Sequence, residues 1–222
     1  MAVKGIEVMV EKKVTVSKRD AATCQLETAI KLFLENRDLI SAYTLCCAAD
    51  NILEGIYRNT RDEILKKQFE QSVILDSFRY SLGEEVEMRI KPEHQKEVFR
   101  ALNSAQNFFK HADRDYDSSY QFPDWELTGI RLVTTIMNYN LVYRETTPAM
   151  NLYITLYAIL NPDLLAEGNP LQDAMAAMPA VEAMPTSFSR EDISAIGCTA
   201  LRSTCPELFK QPYELESIEL PP

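Results

Sequence analysis

The segment DLISAYTLCCAADNILEGIY, residues 38–57, limits the fold more than any other stretch of the chain. Its period is helical, and Asp38 is placed to cap the first turn. Leu39, Ile40, Tyr43, Leu45, Cys46, Cys47, Ile52, Leu53 and Ile56 cannot share one helical face. A helix that is apolar around most of its circumference has to be covered on several sides. Ala42, Ala48 and Ala49 would let the covering elements approach closely. The segment therefore predicts the central helix of a bundle.

The rest of the chain supplies its neighbours. Ala22, Leu26, Ala29, Ile30 and Phe33 recur every three or four residues, which predicts a helix from Ser17 to a pause near Asn36-Arg37. Thr60-x-x-Glu63 reads as a capping box before ILKKQFEQSVILDSFRYSL, with Gly83 as the stop. Pro92 opens a helix through EHQKEVFRALNSAQNFFKHA, Pro123-Asp124 opens another, and Pro148 begins a further one that ends at Asn161-Pro162. Ser189-x-x-Asp192 caps a last helix, and the tail from Pro206 is acidic and broken by prolines. The fold class expected is all-α, a helical bundle of about five to seven helices. An extended N-terminal arm at 1–16, where valines and isoleucine alternate, precedes a bundle at 17–160 and a loop-rich attachment at 161–222 with one terminal helix.

Composition narrows the function classes. In a chain of 222 residues, the net charge of -10 argues against a generic DNA-binding or membrane-surface protein while leaving room for a small basic pocket. Five cysteines without a Cys-x-x-Cys read as reduced, buried thiols. The start MAVKGIEVMVEKK lacks the apolar core of a signal peptide, and no apolar run approaches the ~20 residues that span a bilayer. A cytoplasmic location and no membrane association are expected. With six glycines in all, and no phosphate-loop, dinucleotide or serine-hydrolase signature, no cofactor is expected. Tyr139, Tyr143, Tyr153 and Tyr157 at helical spacing read as core or dimer interface, and Trp125 as a roof over the core.

One helix stands apart chemically. At about 100° per residue, Val98, Leu102, Ala105 and Phe109 form its core seam. Arg100, Asn103, Asn107 and His111 fall on the opposite face, with Lys110 and Arg114 beside them. Such a face is what any solvated helix shows, and an imidazole near a helix C-terminus is favoured by the dipole. It is also a set of groups able to handle phosphate. Imidazole titrates near neutrality and moves protons. Arg and Lys neutralise phosphate, and Asn orients it. In a phosphodiester transfer His111 would be the acid or base, and Lys110 or Arg114 would stabilise the developing charge. A single helix seldom makes a whole site, so two such faces joined in a homodimer are expected.

Gln106-Asn107-Phe108-Phe109-Lys110-His111 resembles the Arg-Asn-x-x-x-His element of the HEPN superfamily (higher eukaryotes and prokaryotes nucleotide-binding), in an Asn-x-x-Lys-His variant. LISAYTLCCAADNILEGI resembles that group's apolar helix, and the likeness spans about residues 20–160. The resemblance implies an all-α bundle, a dimer and, in active members, a metal-independent RNase whose Arg and His meet across the dimer cleft. The chain departs from that pattern at the arginine, because Ser104, Ala105 and Gln106 occupy its place. Arg100 lies about 16 Å from His111 along an unbroken helix, too far for both to grip one phosphate in one subunit. The resemblance thus implies a binding or regulatory domain for RNA, a nucleotide or a partner protein. The alternative is an RNase using His111 with Arg100 or Arg114 as the cation.

The following run, Asp113-x-Asp115-x-Asp117, has the opening spacing of a calcium loop. Ser118 stands where that loop needs glycine, and Asp124 where it uses a bidentate Glu. A looser divalent-metal site using His111 and Asp113 is a further alternative. The plain reading is a solvated loop whose charge favours the helix start at Asp124.

Overall fold

The computed structural model describes residues 15–61, 78–79, 85–86, 100, 103–110, 117, 119–161 and 189–210. Within them the protein is an all-α bundle. Helix α1 (Lys18–Leu34) begins at a capping box in which Ser17 and Asp20 satisfy each other's backbone N–H groups. It ends as Asn36 turns into the left-handed region at φ 48°. Asp38 then accepts from the Ser41 N–H and starts α2 (Leu39–Asn59). Two short extended pieces, β1 (Phe78–Arg79) and β2 (Glu85–Val86), pair antiparallel with Phe78 opposite Val86. The expected helix over this region is therefore already extended at Phe78–Arg79. The expected stop at Gly83 and the helix start at Pro92 lie outside the described residues.

Residues 103–110 form α3, followed by α4 (Asp124–Tyr143) and α5 (Pro148–Leu160). Thr147 caps α5, with Pro148 in its first turn where a missing N–H costs nothing. The last helix, α6 (Arg190–Thr204), opens on a second capping box between Ser189 and Asp192. A single 3-10 turn, Pro206–Phe209, follows.

Helix α2 lies between α1 and α4 and buries Leu39, Ala42, Tyr43, Cys46, Ala49 and Leu53. Its outer side is less covered than its apolar residues suggest, for Ile40 is 51% exposed. By length and mean hydropathy α2 alone among the described residues could cross a membrane. The packing against α1 and α4 is what such a helix shows at the centre of a folded bundle. Helices α1, α4 and α5 complete the main core through Leu26, Ile30, Leu132, Ile136, Tyr153 and Ile154. The Trp125 ring stacks on Phe33 at 4.1 Å, the roof expected of it. Tyr139 and Tyr153 are core residues held by Thr23 Oγ1 at 2.8 Å and by the Gly129 carbonyl at 3.2 Å.

The C-terminal helix is part of this core. Leu201 and Cys205 are fully buried in it, and the Cys198 thiol donates to the Leu34 carbonyl at 3.2 Å. Gly197 lies so close to α1 that an added Cβ would come within 2.6 Å of Leu34 Cδ2. The 3-10 turn is held down by Lys31, which donates to the Leu208 carbonyl at 2.9 Å and lies over Phe209. Among the cysteines, Cys46, Cys47 and Cys205 are buried free thiols as expected, whereas Cys24 is exposed.

Candidate functional site

Helix α3 sits on α2 and α4 through Ala105 and Phe109 of the predicted seam, whose Val98 and Leu102 lie outside the described residues. Ala105 is fully buried, and with Tyr43, Cys47 and Leu127 it forms a second, smaller core. Phe109 packs edge-on against Tyr43 and Phe122, with ring centroids at 6.0 Å and 5.3 Å. Phe108 stacks on Tyr120. Aromatic contacts of this kind hold α3 against its neighbours.

The opposite face is open. Asn103, Asn107 and Lys110 are exposed, as is Arg100. These four candidates therefore lie where the helical wheel puts them. His111, Arg114, Asp113 and Asp115 lie outside the described residues. Asp117 is exposed in a turn. Among the described residues no cluster of three His, Cys, Asp or Glu side chains could hold a metal ion.

Beneath α3 lies a polar cluster that sequence reading missed. Gln106 points inward, the one amide of the helix to do so. Its Oε1 accepts from Arg131 Nη2 at 2.9 Å, and its Nε2 faces Asn51 Oδ1 at 3.4 Å. Arg131, on α4, is 7% exposed, and it is the one buried charged residue among those described. Its Nη1 bonds Asp50 Oδ2 at 3.2 Å, and Asn138 Nδ2 donates to Asp50 Oδ1 at 2.9 Å. The Tyr43 ring lies 5.6 Å from the guanidinium carbon. Arg131 Nε is buried without a hydrogen-bond partner.

The electrostatics follow from this burial. Desolvation pushes the Asp50 carboxyl up, while Arg131 and Asn138 pull it back down. Burial likewise raises the Cys47 thiol and the Tyr43 hydroxyl, so both stay protonated and neutral beside the guanidinium. Burial opposes the charge on Arg131, but the surrounding Cys47, Asp50 and Tyr43 outweigh it, and the side chain remains a cation. Lys110 is near enough for its field to favour the ionised forms of both Asp50 and Cys47.

The signal for this cluster was present in the sequence. Arg131 is a lone cation between Ile130 and Leu132 in an apolar helix, and Asp50 is an acid in the other apolar helix. Asn138 stands two turns from Arg131 and so shares its face. What the sequence lacked was the pairing between segments 81 residues apart. Comparison of the chain with protein-family models, with curated proteins and with solved structures returned no match.

Proposed function

We propose that the protein is a helical binding domain whose recognition surface is the outer face of α3, and that its ligand carries phosphate: an RNA or a nucleotide. Asn103, Asn107 and Lys110 line that face, Arg100 stands just before it, and His111 and Arg114 follow in sequence. The observation that carries the reading is the division of α3 into two polar parts. Gln106 is committed inward to Arg131, while the two asparagines and the lysine remain free of the core. Amides and a cation on a helix fixed from beneath can hold a phosphate without reorganising. The resemblance of QNFFKH to the HEPN element supports the same choice of helix. With net charge -10, the ligand is held by a small number of placed donors and not by a broad basic surface.

The test uses purified protein and labelled single-stranded RNA, with and without excess EDTA, and with His111→Ala and Asn107→Ala/Lys110→Ala variants alongside. Saturable RNA binding without cleavage, weakened at least about tenfold in the double variant, is the expected result. Chelator-resistant cleavage that disappears in His111→Ala would replace a binding module with an RNase. Binding abolished by EDTA would point to a metal site, and no RNA binding in any form would leave a protein partner as the occupant of this face.

A further inference from the structure

The geometry points to a buried anion subsite on the Nε–Nη2 edge of Arg131, closed in the unliganded protein by the side chain of Gln106 and built for a phosphate group. The inference rests on the proposed function, since it places a phosphate of the ligand beneath the same helix.

The two edges of this guanidinium are used differently. Nη1 is taken by the Asp50 carboxylate, which Asn138 fixes from its other oxygen. The remaining edge carries two parallel N–H groups, on Nε and Nη2, in the fork geometry that matches two oxygens of a phosphate or carboxylate. Here Nη2 meets one neutral oxygen, Gln106 Oε1, the Tyr43 hydroxyl lies close enough to interact with the guanidinium, and Nε has no hydrogen-bond partner. A buried N–H left unmade is costly, so a two-oxygen acceptor would satisfy more of this edge than the amide does. Gln106 is half-buried, and the edge therefore lies one side chain below the surface.

The local charge leaves room for an anion. Asp50 balances Arg131, and the half-buried Glu54, whose charge also reaches Asp50, is ion-paired with Arg58 one turn on. Lys110 stands exposed one turn beyond Gln106 on α3, near enough for its positive charge to act on the same cluster. A phosphate seated on Arg131 would thus meet the ammonium of Lys110 at the rim. Gln106 would swing outward and leave Asn51, to which it is only loosely joined at 3.4 Å.

Two substitutions at one position test this. Gln106→Ala opens the edge, and Gln106→Glu fills it with a carboxylate from the chain itself. Thermal unfolding of the full chain is followed with adenosine 5′-monophosphate and, separately, with inorganic phosphate. The expected result is a saturable rise in Tm for the wild type with the nucleotide, at least about fivefold tighter apparent binding in Gln106→Ala, and none in Gln106→Glu. The unliganded Gln106→Glu protein should melt above the wild type. If Gln106→Glu does not fold, Arg131→Lys keeps the charge without the fork and must also lose the response. Equal stabilisation by inorganic phosphate would assign the subsite to the free anion, and a nucleotide-only response to a phosphomonoester; both agree with the subsite. An unchanged nucleotide response in Gln106→Glu, or no response in the wild type, overturns it. RNA binding that depends on Asn107 and Lys110 but is indifferent to Gln106→Glu would remove the subsite and leave the wider proposal standing. Loss of both would remove both.

Discussion

Arg131 carries a charge into an apolar helix, and what surrounds it decides whether that charge helps or harms. With Asp50 removed the guanidinium would be buried and half unpaired; with Arg131 removed the carboxylate would be. Breaking such a pair by one side costs more than replacing both sides, because the surviving charge keeps its desolvation penalty. Arg131→Met is therefore expected to lower unfolding stability by about 3 kcal/mol in a urea titration, and Asp50→Leu/Arg131→Met by clearly less. Equal losses in the two variants would mean that the pair is not coupled as the 3.2 Å contact indicates. The neutral Tyr43 and Cys47 around the pair add no charge that could compensate for either loss.

At the scale of the elements, two glycines in helices make opposite predictions. Gly55 lies on the exposed side of α2, and an added Cβ there would meet nothing within 4 Å. Gly55→Ala should stabilise by about 0.5–1 kcal/mol through helix propensity alone. Gly197 is in α6, where the same methyl would strike Leu34, itself 1% exposed. Gly197→Ala should destabilise by about 1–3 kcal/mol in spite of the same propensity gain, because α6 must move off α1. The helix starts are sensitive to acid. Side-chain and backbone bonds from Ser17, Ser41 and Ser189 hold Asp20, Asp38 and Asp192 below the usual aspartate value of 3.8. A lowered carboxylate adds stability above its unfolded value, and that contribution disappears as pH falls through the lower folded value. The Asp20→Asn/Asp192→Asn variant should consequently lose less Tm than the wild type between about pH 6 and about pH 3. These caps were also the parts of the fold most legible in the sequence. Asp38 and Ser189 act through contacts three residues away, so a local pattern suffices to find them, and the capping box at Ser17 is of the same kind. The outward placement of Asn103 and Asn107 was legible for the same reason, since helical period is local. The docking of Pro206–Phe209 on Lys31 and the union of Asp50 with Arg131 were not, because each joins segments distant along the chain with no motif of its own.

For the whole molecule, the proposal is of an acidic helical bundle that offers a small set of phosphate donors on the outer face of α3, above the buried pair of Arg131 and Asp50. The homodimer expected from the sequence would join two such faces, and sedimentation should then show a species of twice 25.3 kDa. The account stands most directly on where a phosphate ligand touches the protein. Amide chemical-shift mapping of the full chain with adenosine 5′-monophosphate answers this in one titration. The account predicts saturable shifts concentrated at residues 103–110 and at Arg131 and Asp50 beneath them. Shifts confined to the surfaces of α1 and α6, or no saturable shifts at all, would contradict it.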